Sequence, residues 1–137
     1  AGDRQVVAID VGNGNGKRAA EVYRVVRQAP HVPTPLILND RVYLWNDGGI
    51  CTCCELSSGE VVWQKRVGGS YFSSPIAIGE RIFSIDTAGE VVVLAAEDSF
   101  RVIARNPMGQ GSRATLAVAG KTLLIRTEGK LFAVRGE

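Results

Sequence analysis

Residues 35–67, "PLILNDRVYLWNDGGICTCCELSSGEVVWQKRV", lie over residues 75–107, "PIAIGERIFSIDTAGEVVVLAAEDSFRVIARNP", without a gap. Pro35 falls on Pro75, Arg41 on Arg81, Tyr43 on Phe83, Gly49 on Gly89 and Lys65 on Arg105, each pair 40 apart in number. A third copy, "TLAVAGKTLLIRTEGKLFAVRGE" (115–137), continues at the same step, with Lys121 under Arg81, Leu123 under Phe83, Ile125 under Ile85 and Gly129 under Gly89. Upstream, "VVAID" (6–10) and "EVYRVVRQ" (21–28) resemble the second half of a copy, joined by the longer "VGNGNGKRAA" (11–20). Self-similarity at a fixed period near 40 marks a modular fold, and it governs how every local motif is read.

Each copy holds four short segments rich in Val, Ile, Leu and aromatics, separated by turn pairs such as Asn39-Asp40, Gly48-Gly49 and Ser58-Gly59. Such segments are strands joined by hairpins. The one weakly helical stretch, "GKRAAEVYRVV", aligns with "SSGEVVWQKRV" and is therefore expected to be strand. Four antiparallel strands in about 40 residues, repeated, is the layout of a propeller blade. The expected fold is all-β, a partial β-propeller of four-stranded antiparallel blades with two full blades and two partial ones. The expected division is a partial blade over 1–32, blades over 33–72 and 73–112, and a partial blade over 113–137.

Composition excludes several function classes. With 137 residues, 45% of them hydrophobic and 22% charged, the chain has the make-up of one soluble globular domain. The formal charge is +2 and the two signs are interspersed, which argues against a nucleic-acid binder. No apolar run approaches the roughly 18 residues of a membrane helix, and "AGDRQVV" lacks the layout of a signal peptide.

At "AIDVGNGNGKRAAEVYRVV" and "CELSSGEVVW" the chain resembles the repeat of pyrroloquinoline-quinone-type (quinoprotein-like) propellers. The shared features are a small residue and an acid ending the third strand, a Gly-containing turn, and a fourth strand carrying Trp. The resemblance implies that Trp63 docks between adjacent blades. The second copy departs from the pattern, with Ile103 in the Trp position and "EDS" in the turn. The family includes quinone-dependent dehydrogenases and non-enzymatic scaffolds such as the bacterial outer-membrane assembly lipoprotein, so the resemblance implies a periplasmic or extracytoplasmic location.

All three cysteines fall within four residues, at 51, 53 and 54. In the repeat register Cys51 lies over Val91 and Leu131, Cys53 over Val93 and Ala133, and Cys54 over Leu94 and Val134, which are core positions of a third strand. A free cysteine there acts as a small hydrophobe. A metal site needs further ligands, and the chain has one histidine, His31, and no second cysteine pair. Quinoprotein dehydrogenases do carry an adjacent-cysteine disulfide against their cofactor, in a loop. Here Cys53 and Cys54 sit inside a strand and point to opposite faces, so packing is the expectation and a redox pair the alternative.

Propellers commonly bind partners on the loops at one end of the axis. Here those are "APHVPT" (29–34), "GGSYFSS" (68–74) and "NPMGQGSR" (106–113) with the "NDGG", "DTAG" and "TEG" turns. They place His31, Tyr71, Phe72 and Arg113 on a possible partner-binding rim, with Tyr71 and Phe72 read first as covers over the ends of the inner strands and the rim as the alternative. Asp47 and Asp86 read as turn formers bonding nearby backbone, and Trp45 as packing between blades. "GNGNG" is not followed by a helix and so lacks the anion-binding terminus of a phosphate loop.

The third copy stops after "KLFAV", where a fourth strand is due. An unclosed propeller exposes faces and edges. The expectation is therefore a protein partner or self-association that completes the ring, as a homo-oligomer or as part of a larger chain. The leading functional expectation is a non-catalytic, protein-binding scaffold without cofactor. The alternatives are a segment of a dehydrogenase that uses pyrroloquinoline quinone (PQQ) and calcium, and a carbohydrate or small-molecule binder.

Overall fold

A computed structural model describes residues 4–12 and 19–136. Its thirteen strands form four separate antiparallel sheets, and the described residues contain no helix. Sheet I pairs β1 (Val6–Asp10) with β2 (Ala20–Val25). Sheet II is the meander β3 (Leu36–Leu38), β4 (Arg41–Trp45), β5 (Ile50–Glu55) and β6 (Val61–Arg66). Sheet III repeats it with β7 (Ile76–Ile78), β8 (Arg81–Ile85), β9 (Glu90–Ala95) and β10 (Val102–Pro107). Sheet IV has β11 (Ala117–Ala119), β12 (Thr122–Arg126) and β13 (Leu131–Arg135). The fold is a partial propeller of stacked blades.

The alternation of side chains along each strand sends one set to the preceding sheet and the other to the following one. Tyr43, Trp45, Cys51, Cys53 and Trp63 of sheet II pack against Ile82, Val92 and Leu94 of sheet III. Val42, Leu44 and Cys54 face back onto Val25 of sheet I. Ile85, Val91 and Val93 of sheet III meet Ile125 of sheet IV. Because both faces are covered, β4, β5 and β9 read as nearly continuous apolar runs.

Strand pairing corrects the gapless alignment. Cys53 pairs with Trp63, and its equivalent Val93 pairs with Ala104, so the Trp position in the second copy is Ala104 and not Ile103. In each of sheets I, II and III the register slips at the same place, skipping Val22, Val62 and Ile103. A bulge sits there. The turn ahead of β10 is one residue longer than the one ahead of β6: Ala95 N–H donates to Arg101, whereas Glu55 N–H donates to Glu60. Consequently Lys65, which pairs with Cys51, matches Asn106, which pairs with Val91. The same extra residue carries Leu124, not Leu123, to the position of Phe83. The turn after β12 is then one residue shorter, closing through Thr127 N–H to Lys130 rather than Asp86 N–H to Glu90, and the third strands return to a step of 40.

Two turn devices fix the hairpins. Asn39 and Asp40 both hold positive φ, 50° and 56°, the geometry of a two-residue hairpin loop that matches strand twist. Gly49 and Gly89, at φ 77° and 87°, lie beneath the backbone of the loops that follow their sheets, where a Cβ would meet the carbonyl oxygens of Gly68 and Gln110. Ahead of the first strands, Thr34 N–H donates to Ser74 Oγ (2.9 Å), and Ser74 N–H donates to Thr115 Oγ1 (3.0 Å). This hydroxyl ladder links three successive sheets at the same height.

Candidate partner-binding rim and blade junctions

The loops joining β2 to β3, β6 to β7 and β10 to β11 share one end of the sheets with the turns after β4, β8 and β12, and backbone bonds knit them together. Tyr71 N–H donates to Asp47 O (2.9 Å) and Thr87 N–H to Ser70 O (2.7 Å). One sheet on, Ser112 N–H donates to Thr87 O (3.3 Å) and Glu128 N–H to Gly111 O (2.9 Å). Asp47 adds a side-chain clasp, since its two carboxylate oxygens accept the N–H groups of His31 and Val32, each at 2.9 Å. Burial pushes the Asp47 carboxyl up, but those N–H groups and the Arg4 guanidinium outweigh it and hold its pKa below the usual value. Asp47 therefore bonds backbone far along the chain. The local turn is made instead by Asn46, whose Oδ1 accepts from Gly48 and Ile50, and by Asp86, whose Oδ1 accepts from Glu90.

The four residues expected on the rim divide. His31 and Phe72 are exposed, and the Arg113 guanidinium stacks 5.3 Å from the centre of the Phe72 ring, joining two neighbouring loops. His31 lies one loop further back, held by its backbone on Asp47. Tyr71 does not face the rim: it is 1% exposed, with its ring centre 5.0 Å from that of Trp45 and tilted 56° to it, and with its pKa raised by burial. Its phenol oxygen and Trp45 Nε1 have no hydrogen-bond partner among the described residues. Tyr71 packs inward on Trp45 while its neighbour Phe72 stays exposed.

At the opposite end, Trp63 crosses from sheet II to sheet III. Its Nε1–H donates to the carbonyl of Glu97 (3.1 Å), and its ring meets Phe100 edge-on at 5.3 Å. Beside it Arg41 reaches the same turn, with Nε and Nη2 at 2.9 and 3.0 Å from the two carboxylate oxygens of Asp98. This clasp was not visible in the sequence, because it joins residues 57 apart through a turn whose length differs between copies.

The cysteines are buried and unpaired along β5. Burial pushes the Cys53 thiol up to about 11, although the Tyr43 hydroxyl and the Arg41 charge pull the other way, and raises the Cys51 and Cys54 thiols too. Such thiols are poor nucleophiles at neutral pH. Cys53 faces sheet III and Cys54 faces sheet I, inside the stack. Among the described residues no three His, Cys, Asp or Glu side chains converge as metal ligands. Among the described residues the adjacent cysteines thus lie on opposite faces of a strand and not in a loop.

No helix among the described residues is long and apolar enough to cross a membrane. No curated protein sequence matches this chain. Among solved structures the chain is similar to BamB from Moraxella catarrhalis, with a TM-score of 0.71 at 15% identity over 98% of this chain and 40% of that one. It is also similar to a europium-containing methanol dehydrogenase, with a TM-score of 0.59 at 13% identity over 74% of this chain and 21% of that one. The chain thus spans about two fifths of the first of these, and at such identities the likeness is one of fold. Residues 2–137 match the family described as "Outer membrane protein assembly factor BamB", and the chain belongs to that family of quinoprotein-type propellers.

Proposed function

We propose that this chain is a non-catalytic propeller module that binds protein and acts outside the cytoplasm, as part of an outer-membrane assembly factor of the kind its family's description names. The observation that carries this reading is the rim. An exposed Phe72, 45% accessible, is braced by the Arg113 guanidinium on loops that backbone bonds tie to the turns of the neighbouring sheets. A pre-organised aromatic–arginine pair loses little entropy on docking, and aromatic residues and Arg are both enriched in protein interfaces relative to the rest of the surface. The cysteines support the same reading, since they spend their chemistry on packing.

A photo-reactive residue at position 72 tests it. The expected result is a discrete cross-linked protein in periplasmic extract, lost in Arg113→Glu and absent when the probe sits at exposed Ile37 on an inner strand. Titration with PQQ plus calcium is expected to show no saturable binding. Saturable micromolar binding with dye reduction would replace this reading with the dehydrogenase one.

A further inference from the structure

Charges that are interspersed along the chain are sorted in space by the meander. Successive strands of a sheet run antiparallel, so every second turn falls at the same end, and a charge near a strand terminus is carried to one end or the other. Within residues 27–113, which span the two four-stranded sheets, the end opposite the rim holds Asp40, Glu55, Glu60, Glu80, Glu97 and Asp98 against Arg41, Arg81 and Arg101. The rim end reverses the balance. It holds Arg27, Lys65, Arg66, Arg105 and Arg113 against Asp47, Asp86 and Glu90.

All three of those rim acids are already engaged within the protein. Both Asp47 oxygens accept the N–H groups of His31 and Val32, Asp86 is 7% exposed and accepts the Glu90 N–H, and Glu90 pairs with Arg105 at 2.7 Å. Four exposed cations, Arg27, Lys65, Arg66 and Arg113, thus have no carboxylate partner among the described residues. At the opposite end Arg41 and Arg101 are each held by a carboxylate, at 2.9 and 2.7 Å. Unpaired positive charge therefore gathers at the end that also exposes Phe72. Lys65, Arg66 and Phe72 lie at the end of β6 and on the loop into β7, with a described sheet on either side.

We propose, on the reading of the rim as a protein-binding surface, that its partner presents an acidic segment of polypeptide. Carboxylates of the segment meet Lys65, Arg66 and Arg113, and an apolar side chain between them packs on Phe72. Like charges gathered at one end of a molecule raise the potential there and steer an oppositely charged partner into place. The apolar contact adds what exposed ion pairs lack, since each such pair contributes little alone. A lipid surface fits less well: the loop into β7 exposes one large apolar side chain, Phe72, where interfacial binding needs an apolar face.

The probe is a labelled peptide of repeated Glu-Glu-Leu, with repeated Lys-Lys-Leu as its counterpart. Saturable binding is expected for the acidic peptide alone, weakening as added salt shortens the Debye length below about 8 Å. Lys65→Glu combined with Arg66→Glu should weaken binding by at least about tenfold, two exposed attractions turned to repulsion. Circular dichroism should stay unchanged, because both side chains are exposed and unpaired. Glu80→Lys, at the opposite end, raises the net charge yet should leave affinity as it was, which separates the rim's charge from that of the whole protein. Should the double variant fold poorly, Arg113→Gln gives the same test with a loss of about threefold. The proposal fails if the acidic peptide does not bind, or if charge reversal at the rim changes nothing. Binding of phosphatidylglycerol vesicles in place of the peptide would assign the cations to lipid and overturn it. Cross-linking at position 72 that persists at high salt and in the double variant would keep the rim as a protein-binding surface while refuting an acidic partner. Peptide binding without any cross-linked protein would keep the acid-selective site and remove the assembly reading.

Discussion

The junction between sheets II and III and the junction between sheets III and IV are built to one plan and finished differently. At the loop end they match: the same pairs of backbone bonds join successive sheets, and Gly49 and Gly89 each make room for the backbone of the loop that follows. At the other end the first junction is sealed by Trp63, Phe100 and the Arg41–Asp98 clasp, while the second has Ala104 and an Arg81 with no acid opposite. A repeat can thus preserve its backbone frame and vary the plug. The frame depends on backbone bonds at fixed height; the plug depends on the length of one turn and the identity of one side chain.

The sharpest way to break the comparison is Trp63→Ala. It removes a buried aromatic that bridges two sheets and should cost about 3–5 kcal/mol in denaturant unfolding. A loss below about 1 kcal/mol would mean that the aliphatic faces alone hold the junction. Gly49→Ala and Gly89→Ala should each cost at least about 1–2 kcal/mol from the left-handed backbone alone, with steric conflict on top. Because the two loop ends are built alike, these two variants should behave alike; a large difference would dissolve the parallel. Arg41→Ala should lower the unfolding midpoint slightly, as its partner Asp98 is solvent-exposed, and Arg81→Ala should leave it nearly unchanged. Equal effects would show that the clasp contributes nothing.

The smallest effect at neutral pH should come from the thiols, which lie only in the first junction and in the face behind it. A thiol reagent should find none in the native protein and three in denaturant. Their folded pKa values lie above the unfolded ones, so the folded state keeps protons that the unfolded state releases. Stability from this source is complete below about pH 9 and falls as pH rises through about 11, the value for Cys53. A Cys53→Val variant should flatten that alkaline slope. An unchanged slope would assign it to Tyr43 and Tyr71, whose hydroxyls are shifted upward by the same burial.

The amino-acid sequence by itself determined the blade. Alternating apolar runs, turn pairs such as Asn39-Asp40 and a period near 40 specify strands, hairpins and stacking, because those are local preferences repeated in register. It also determined that Cys51, Cys53 and Cys54 occupy core positions, since the third strands keep the step of 40. What only the tertiary structure decided was which residues meet across sheets. One extra residue in the turn before β10 moved Ala104 into the Trp position, and the short turn after β12 hid the shift again. Tyr71 turned inward against Trp45 while its neighbour Phe72 turned out to Arg113, a choice made by packing between sheets and invisible in composition. Burial and pairing between sheets belong to contacts far apart in sequence, and a single residue gained or lost in a loop is enough to reassign them.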